Sequence, residues 1–129
     1  MNLDQRIQLL AQSGTISEVT VHDIHNVIAT LQKWQVDTEQ DQVVMLVTHI
    51  AMALERAQQG NALEAPLDEE LLAELQQEPH FMQVERLSQS LLNQCQTQLS
   101  QAERSYLWAG LGALCDAQPH LIDEVNRVH

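Results

Sequence analysis

The sequence predicts an all-α protein: a compact bundle of about five to six helices in a single domain, residues 1–129. Three observations lead there. Apolar residues recur at spacings of three and four along most of the chain, the period of an amphipathic helix, and no clear stretch alternates apolar with polar residues as a half-buried strand would. Aromatic residues make up only 3% of the chain, too few for the aromatic-rich surfaces that favour sheets. Helix-starting and helix-stopping residues bracket the periodic segments.

The elements follow in order. Leu3, Ile7 and Leu10 mark a short first helix that ends near Gly14. Ser17 is suited to cap a second helix, whose apolar stripe reads Val21, Ile24, Val27, Ile28, Leu31 and Trp34. Thr38, with Asp41 three residues on, resembles a capping box for a third helix. That helix runs to Gln59, and Gly60 supplies a left-handed stop. Gly60 to Leu67 form a connector containing Pro66. Asp68 then starts a short acidic helix through Leu71, Leu72 and Leu75, with Glu69 and Glu70 in the first turn, where negative charge suits the helix dipole. Pro79 interrupts it and fits the first turn of the next helix, which carries Phe81, Val84, Leu87 and Leu91 and extends toward Cys95. Ser100 with Glu103 forms a capping box for a helix through Tyr106, Leu107, Leu111 and Leu114. Pro119 opens a last short segment.

Composition narrows the function classes. A chain of this length buries roughly two-thirds of its unfolded surface, so it needs neither metal nor disulfide to fold. Its net charge of −12 repels phosphate backbones and anionic lipid, so neither nucleic acid nor a membrane surface is expected as a direct partner. The acidity is compatible with a basic protein partner or with solubility alone. Cys95 and Cys115 sit in helix-like apolar patterns and read as buried free thiols. The first residues lack the apolar core of a secretion signal. No apolar run approaches the ~20 residues of a membrane span. A cytoplasmic location is expected.

The third helix differs from the others. Val43 to Val47 are apolar without a break, and Ile50 to Leu54 continue the run. A helix apolar on nearly every side is expected to be buried on nearly every side, either at the centre of the bundle or with one side in a subunit interface. Glu55 and Arg56 return the chain to water. His49 interrupts the run, with Met45, Leu46, Met52 and Ala53 on its own face one turn away and Arg56 two turns on. Two readings stand. His49 is a hydrogen-bonded core histidine, because an unpaired buried ring nitrogen would cost about 1–3 kcal/mol. Otherwise it is a nucleophile, since a neutral imidazole attacks phosphorus without a separate base.

Three stretches then carry a resemblance. Val47 to Asn61, VTHIAMALERAQQGN, runs as a histidine, aliphatic residues and alanine, an arginine and a glycine-containing turn. APLDEELLAELQQEPHF contains a Pro-Leu connector, Pro66-Leu67, and a later proline, Pro79. Glu103-Arg104-Ser105-Tyr106-Leu107 is a Glu-x-x-Tyr-Leu segment. In this order they resemble the PRD family, the phosphotransferase-system regulation domains of bacterial antiterminators and transcriptional activators. The resemblance covers roughly residues 18–117. It implies a bundle of about five helices that commonly forms a homodimer. It also implies phosphorylation of His49 by the phosphocarrier HPr or a sugar-transport phosphotransferase component, in transcriptional regulation, with Arg56 as the candidate to pair with the phosphate. The chain departs from the family at two matched positions: Ala65 stands for the connector's asparagine, and Gly110 stands where a second histidine is usual. With one copy and no basic module, it resembles a stand-alone, partly degenerate member. The alternative is a copy that is not phosphorylated and binds another regulator as a structural partner.

Other constellations carry less. His22 and His25 have a spacing that can bind metal, but no further ligands accompany them, and they read as surface histidines. No nucleophile elbow or phosphate loop is present, so neither an enzyme nor a bound cofactor is expected. Gly110 and Gly112 suggest close helix packing, and Trp34 and Trp108 core or interface anchors.

Overall fold

The computed structural model describes the backbone of residues 2–128 and the side chains of residues 2–124. Among these residues the chain is entirely helical apart from its connections. The helices are α1 (Leu3–Gln12), α2 (Glu18–Lys33), α3 (Asp41–Gln58), α4 (Glu69–Gln76), α5 (Phe81–Leu92), α6 (Gln101–Ala117) and α7 (His120–Val128). The segment opened by Pro119 is itself a helix, which raises the number to seven.

Local chemistry explains most of the boundaries. Asn2 and Gln5 exchange bonds in a capping box at the start of α1. Gly14 and Gly60, both with φ of 75°, end α1 and α3. At Gly60 the pattern is complete, with Gly60 N–H bonded to Ala57 O and Asn61 N–H to Arg56 O, so two orphan carbonyls of the last turn are satisfied. The same pattern ends α2, but there the left-handed residue is Gln35, with φ of 60°. A side chain in that conformation costs about 1–2 kcal/mol that glycine would avoid.

Three expected helix starts differ. Gln40, not Thr38, precedes α3, and its side chain does not cap the helix. Its Oε1 accepts instead from Gln118 Nε2 at 3.2 Å, while Gln118 Oε1 accepts from Asp37 N–H at 3.0 Å. A buried glutamine from the end of α6 thus organises the start of α3. Pro79 lies in the turn before α5, whose N-cap is His80. Ser100 does cap Glu103 N–H at 3.2 Å, but the Glu103 carboxylate turns elsewhere, so only half of the box forms.

The helix spacing expected of the core holds. α3 packs against α1, α2 and α6; α5 packs against α2, α6 and α7; α4 rests on α6. Val27 and Leu31 of α2, Val43, Val47, Ala51 and Leu54 of α3, Leu91 of α5 and Leu111 and Leu114 of α6 are fully buried in one apolar cluster. Each large aliphatic side chain removed from water contributes about 1.5–3 kcal/mol.

Candidate functional site

The apolar run of α3 hides a stripe that faces outward. Met45 is 60% exposed, His49 is exposed, and Met52 and Arg56 are half-buried. Their spacing of four, three and four puts them in one line along the helix. Burial on nearly every side within the bundle therefore does not extend along this line, the side on which the alternative of a subunit interface stands, and His49 is not a core histidine. Its ring makes no hydrogen bond to another described residue. No satisfying partner is required, because the ring meets water.

His49 lines a cleft of about 230 Å³ between α3 and α6. Leu46, Ile50, Ala53 and Arg56 of α3 share its wall, Tyr106, Leu107 and Gly110 of α6 face them, and Leu63 comes from the connector. The helices meet closely here: a Cβ on Gly110 would lie 2.7 Å from Leu46 Cδ1. The connector is fastened to α6 by three bonds. Ser100 Oγ donates to Leu63 O at 3.3 Å, Leu67 N–H donates to Ser105 Oγ at 2.9 Å, and Tyr106 OH donates to Pro66 O at 3.4 Å. Of the three stretches singled out in the sequence, the first and third thus line this cleft, and the second reaches α6 beside it through Pro66 and Leu67, while the rest of it, α4 through Pro79 to Phe81, lies away.

Arg56 sits in the same cleft, but it is already engaged. Its Nε and Nη2 donate to Glu103 Oε2 and Oε1, both at 3.0 Å. Glu103 is almost wholly buried, and the Arg56 side chain is 36% exposed. The bonds to Glu103 hold the guanidinium still more firmly protonated than usual. The Nη1 hydrogens take no partner among the described residues. They are the part of Arg56 available to an anion without disturbing Glu103.

Glu55 does not return the chain to water. It is buried, and its Oε1 accepts from Ser17 N–H at 2.8 Å, Thr20 Oγ1 at 2.7 Å and Ser17 Oγ at 3.0 Å. Gln59 Nε2 donates to Oε2 at 2.6 Å. A carboxylate from α3 therefore caps the start of α2, and the Ser17 side chain does not cap its own helix. Burial alone would raise the Glu55 pKa, but these hydrogen bonds together outweigh it and hold the carboxyl below its ordinary value.

The remaining candidates separate from the cleft. His22 and His25 are exposed, and Asp23 between them points inward. Among the described residues no group of three or more His, Cys, Asp or Glu side chains comes together to hold a metal. His120 Nε2 lies 3.1 Å from Trp34 O, tying α7 to the end of α2, and His80 is exposed at the N-cap of α5. His129 lies outside the described residues. Cys95 is half-buried just past α5 and Cys115 is buried; burial pushes their thiols up to about 12 and about 11, so both are poor nucleophiles. No described helix is long and apolar enough to cross a membrane.

Comparison with known proteins bears on this cleft. Residues 25–113 match the family model of the PRD domain, which spans the three stretches. The uncharacterised protein YhfY of Escherichia coli (strain K12) is 34% identical over 113 residues, covering 87% of this chain and 93% of that protein. No solved structure matches the chain.

Proposed function

The chain belongs to the PRD domain family, and from that premise we propose that it is a regulatory module, not an enzyme, in which His49 accepts a phosphoryl group from the sugar phosphotransferase system. One observation carries this reading: the histidine of the first family segment is exposed at a cleft walled on its far side by the Glu103–Leu107 segment of α6, to which Pro66 and Leu67 of the connector are bonded. A donor protein has a path to it. The lone-pair nitrogen of the ring forms a P–N bond as the P–N bond of the donor's phosphohistidine breaks. The acceptor's ring proton passes through solvent to the donor imidazole. The product carries up to about −2 charge, and Arg56, whose Nη1 is not engaged by Glu103, is the arginine that lines the cleft.

The consequence for regulation lies in the stripe around His49. Met45 and Met52 give it apolar neighbours suited to a protein contact, a second copy of the chain or another regulator of transcription. A doubly charged group placed among them opposes that contact by desolvation and repulsion.

Incubation with HPr, its phosphorylating enzyme and phosphoenolpyruvate tests the proposal. Label on the wild type and none on His49→Ala supports it; an unlabelled wild type overturns it. A second reading, a structural partner without phosphoryl chemistry, is favoured by the Arg56–Glu103 pair, which already matches the guanidinium with a carboxylate. It predicts an unlabelled wild type and a complex that His49→Ala leaves intact.

A further inference from the structure

A second cleft, of about 660 Å³, lies on another face of α6, between its first turns, α5 and the segment that joins them. Two side chains there are set for a ligand. Arg104 Nε is buried with no hydrogen-bond partner, and a guanidinium N–H removed from water without an acceptor is unfavourable. Ser88 is 2% exposed, and its hydroxyl lines the cleft without a hydrogen bond to another described residue. Arg104 also makes no ion pair with a described carboxylate, although Glu85 lines the same cleft and the chain carries a net charge of −12.

The other walls narrow the ligand. Trp108 presents an apolar ring whose orientation is fixed by Phe81, edge-on at 5.3 Å and 85°. Gln89 and Gln98 offer amide donors and acceptors, and Glu85 offers an acceptor alone. A bare anion would use Arg104 and be repelled by Glu85. A ligand with an anionic end and a hydroxyl-bearing ring uses every group: the anion meets Arg104 and Ser88, hydroxyls donate to Glu85 and the amides, and the ring's C–H face lies on the indole. The cleft volume falls in the usual range for small-molecule sites, about 300–1,000 Å³. We propose that this cleft binds a phosphorylated sugar, held by Arg104 and Ser88 at the phosphate and by Trp108, Glu85 and the glutamines at the ring. The proposal is independent of whether His49 reacts.

Calorimetric titration of the full chain with glucose 6-phosphate, fructose 6-phosphate, glucose and inorganic phosphate tests it, alongside the indole N–H resonances of the two tryptophans. At least one hexose phosphate is expected to bind one to one, to shift the Trp108 resonance more than that of Trp34, and to exceed glucose and phosphate at least tenfold in affinity. Arg104→Gln is expected to weaken it at least tenfold, and His49→Ala to leave it unchanged. Glu85→Gln should weaken the sugar phosphate while leaving inorganic phosphate equal or tighter. Failure of both hexose phosphates to bind overturns the proposal. So does equal binding of inorganic phosphate, or wild-type affinity in a folded Arg104→Gln variant.

Discussion

Arg56 of α3 and Glu103 of α6 form a two-pronged ion pair, each prong 3.0 Å long, with the carboxylate end sealed from water and the guanidinium end open to the His49 cleft. The pair therefore joins the helix that presents the histidine to the helix that closes the cleft opposite it.

Removing Arg56 strands the Glu103 charge in the interior. Breaking a buried pair from one side costs about 3–5 kcal/mol, and the partial exposure of Arg56 places the expected loss for Arg56→Ala nearer about 2 kcal/mol. Arg56→Ala combined with Glu103→Gln should recover part of it. Urea denaturation of the two single variants and the double variant measures this, and a strictly additive cycle would show the pair to be uncoupled.

Glu55 makes stability depend on acid. Its folded pKa lies below its ordinary value, so its contribution is fully present above the unfolded pKa, about 4.3. It is lost as pH falls through the depressed folded value. Glu55→Gln should destabilise the chain by about 2 kcal/mol at pH 7, the usual scale for hydrogen bonds to a charged group, and should flatten the decline below about pH 4.5. Thermal melts across pH 3–7 would contradict this if both proteins lost stability with equal slope.

Gly110 and Gly112 differ although they are two residues apart. A Cβ on Gly112 meets Leu75 at an ordinary 3.6 Å, whereas one on Gly110 meets buried Leu46 at 2.7 Å. Gly112→Ala should stabilise by about 0.4–1 kcal/mol through reduced freedom of the unfolded chain. At Gly110 the same gain is opposed by displacement of Leu46. Gly110→His, which supplies the histidine usual in the family, should cost about 1–3 kcal/mol through overpacking and be partly rescued by Leu46→Ala. Chemical denaturation of the four variants checks the order.

Gln35 carries the left-handed turn after α2. Gln35→Gly should stabilise by roughly 1 kcal/mol, the relief of strain less the entropy glycine brings to the unfolded state. A melting temperature at or below that of the wild type would count against this.

The sequence made visible what local chemistry decides. Gly14 and Gly60 act on neighbours a few residues away, and each does what its spacing suggested; Ser100 caps Glu103 N–H as expected, but the Glu103 carboxylate is claimed by Arg56 and leaves the box half formed. Thr38 and Glu55 were misread because residues distant in sequence intervene: Gln118 reaches the start of α3, and Ser17 and Thr20 claim Glu55. The cleft was legible as two separate stretches, Val47 to Asn61 and Glu103 to Leu107, whose meeting only the fold displays. The exposure of His49 was hidden by Met45 and Met52, since methionine looks the same to a periodicity whether it faces the core or water. Arg104 gave no signal at all, because its isolation depends on carboxylates that end up elsewhere.

Asp23, fully buried on α2, accepts Gln96 N–H at 2.8 Å and Thr97 N–H at 3.2 Å. Those two amides belong to an irregular stretch at the surface, where exchange with deuterated solvent is ordinarily fast. Their protons should instead persist nearly as long as those in the middle of α2, because the clamp releases only when that helix leaves the core. The link before α6 would then open together with the bundle, leaving a slow-exchanging island in a loop.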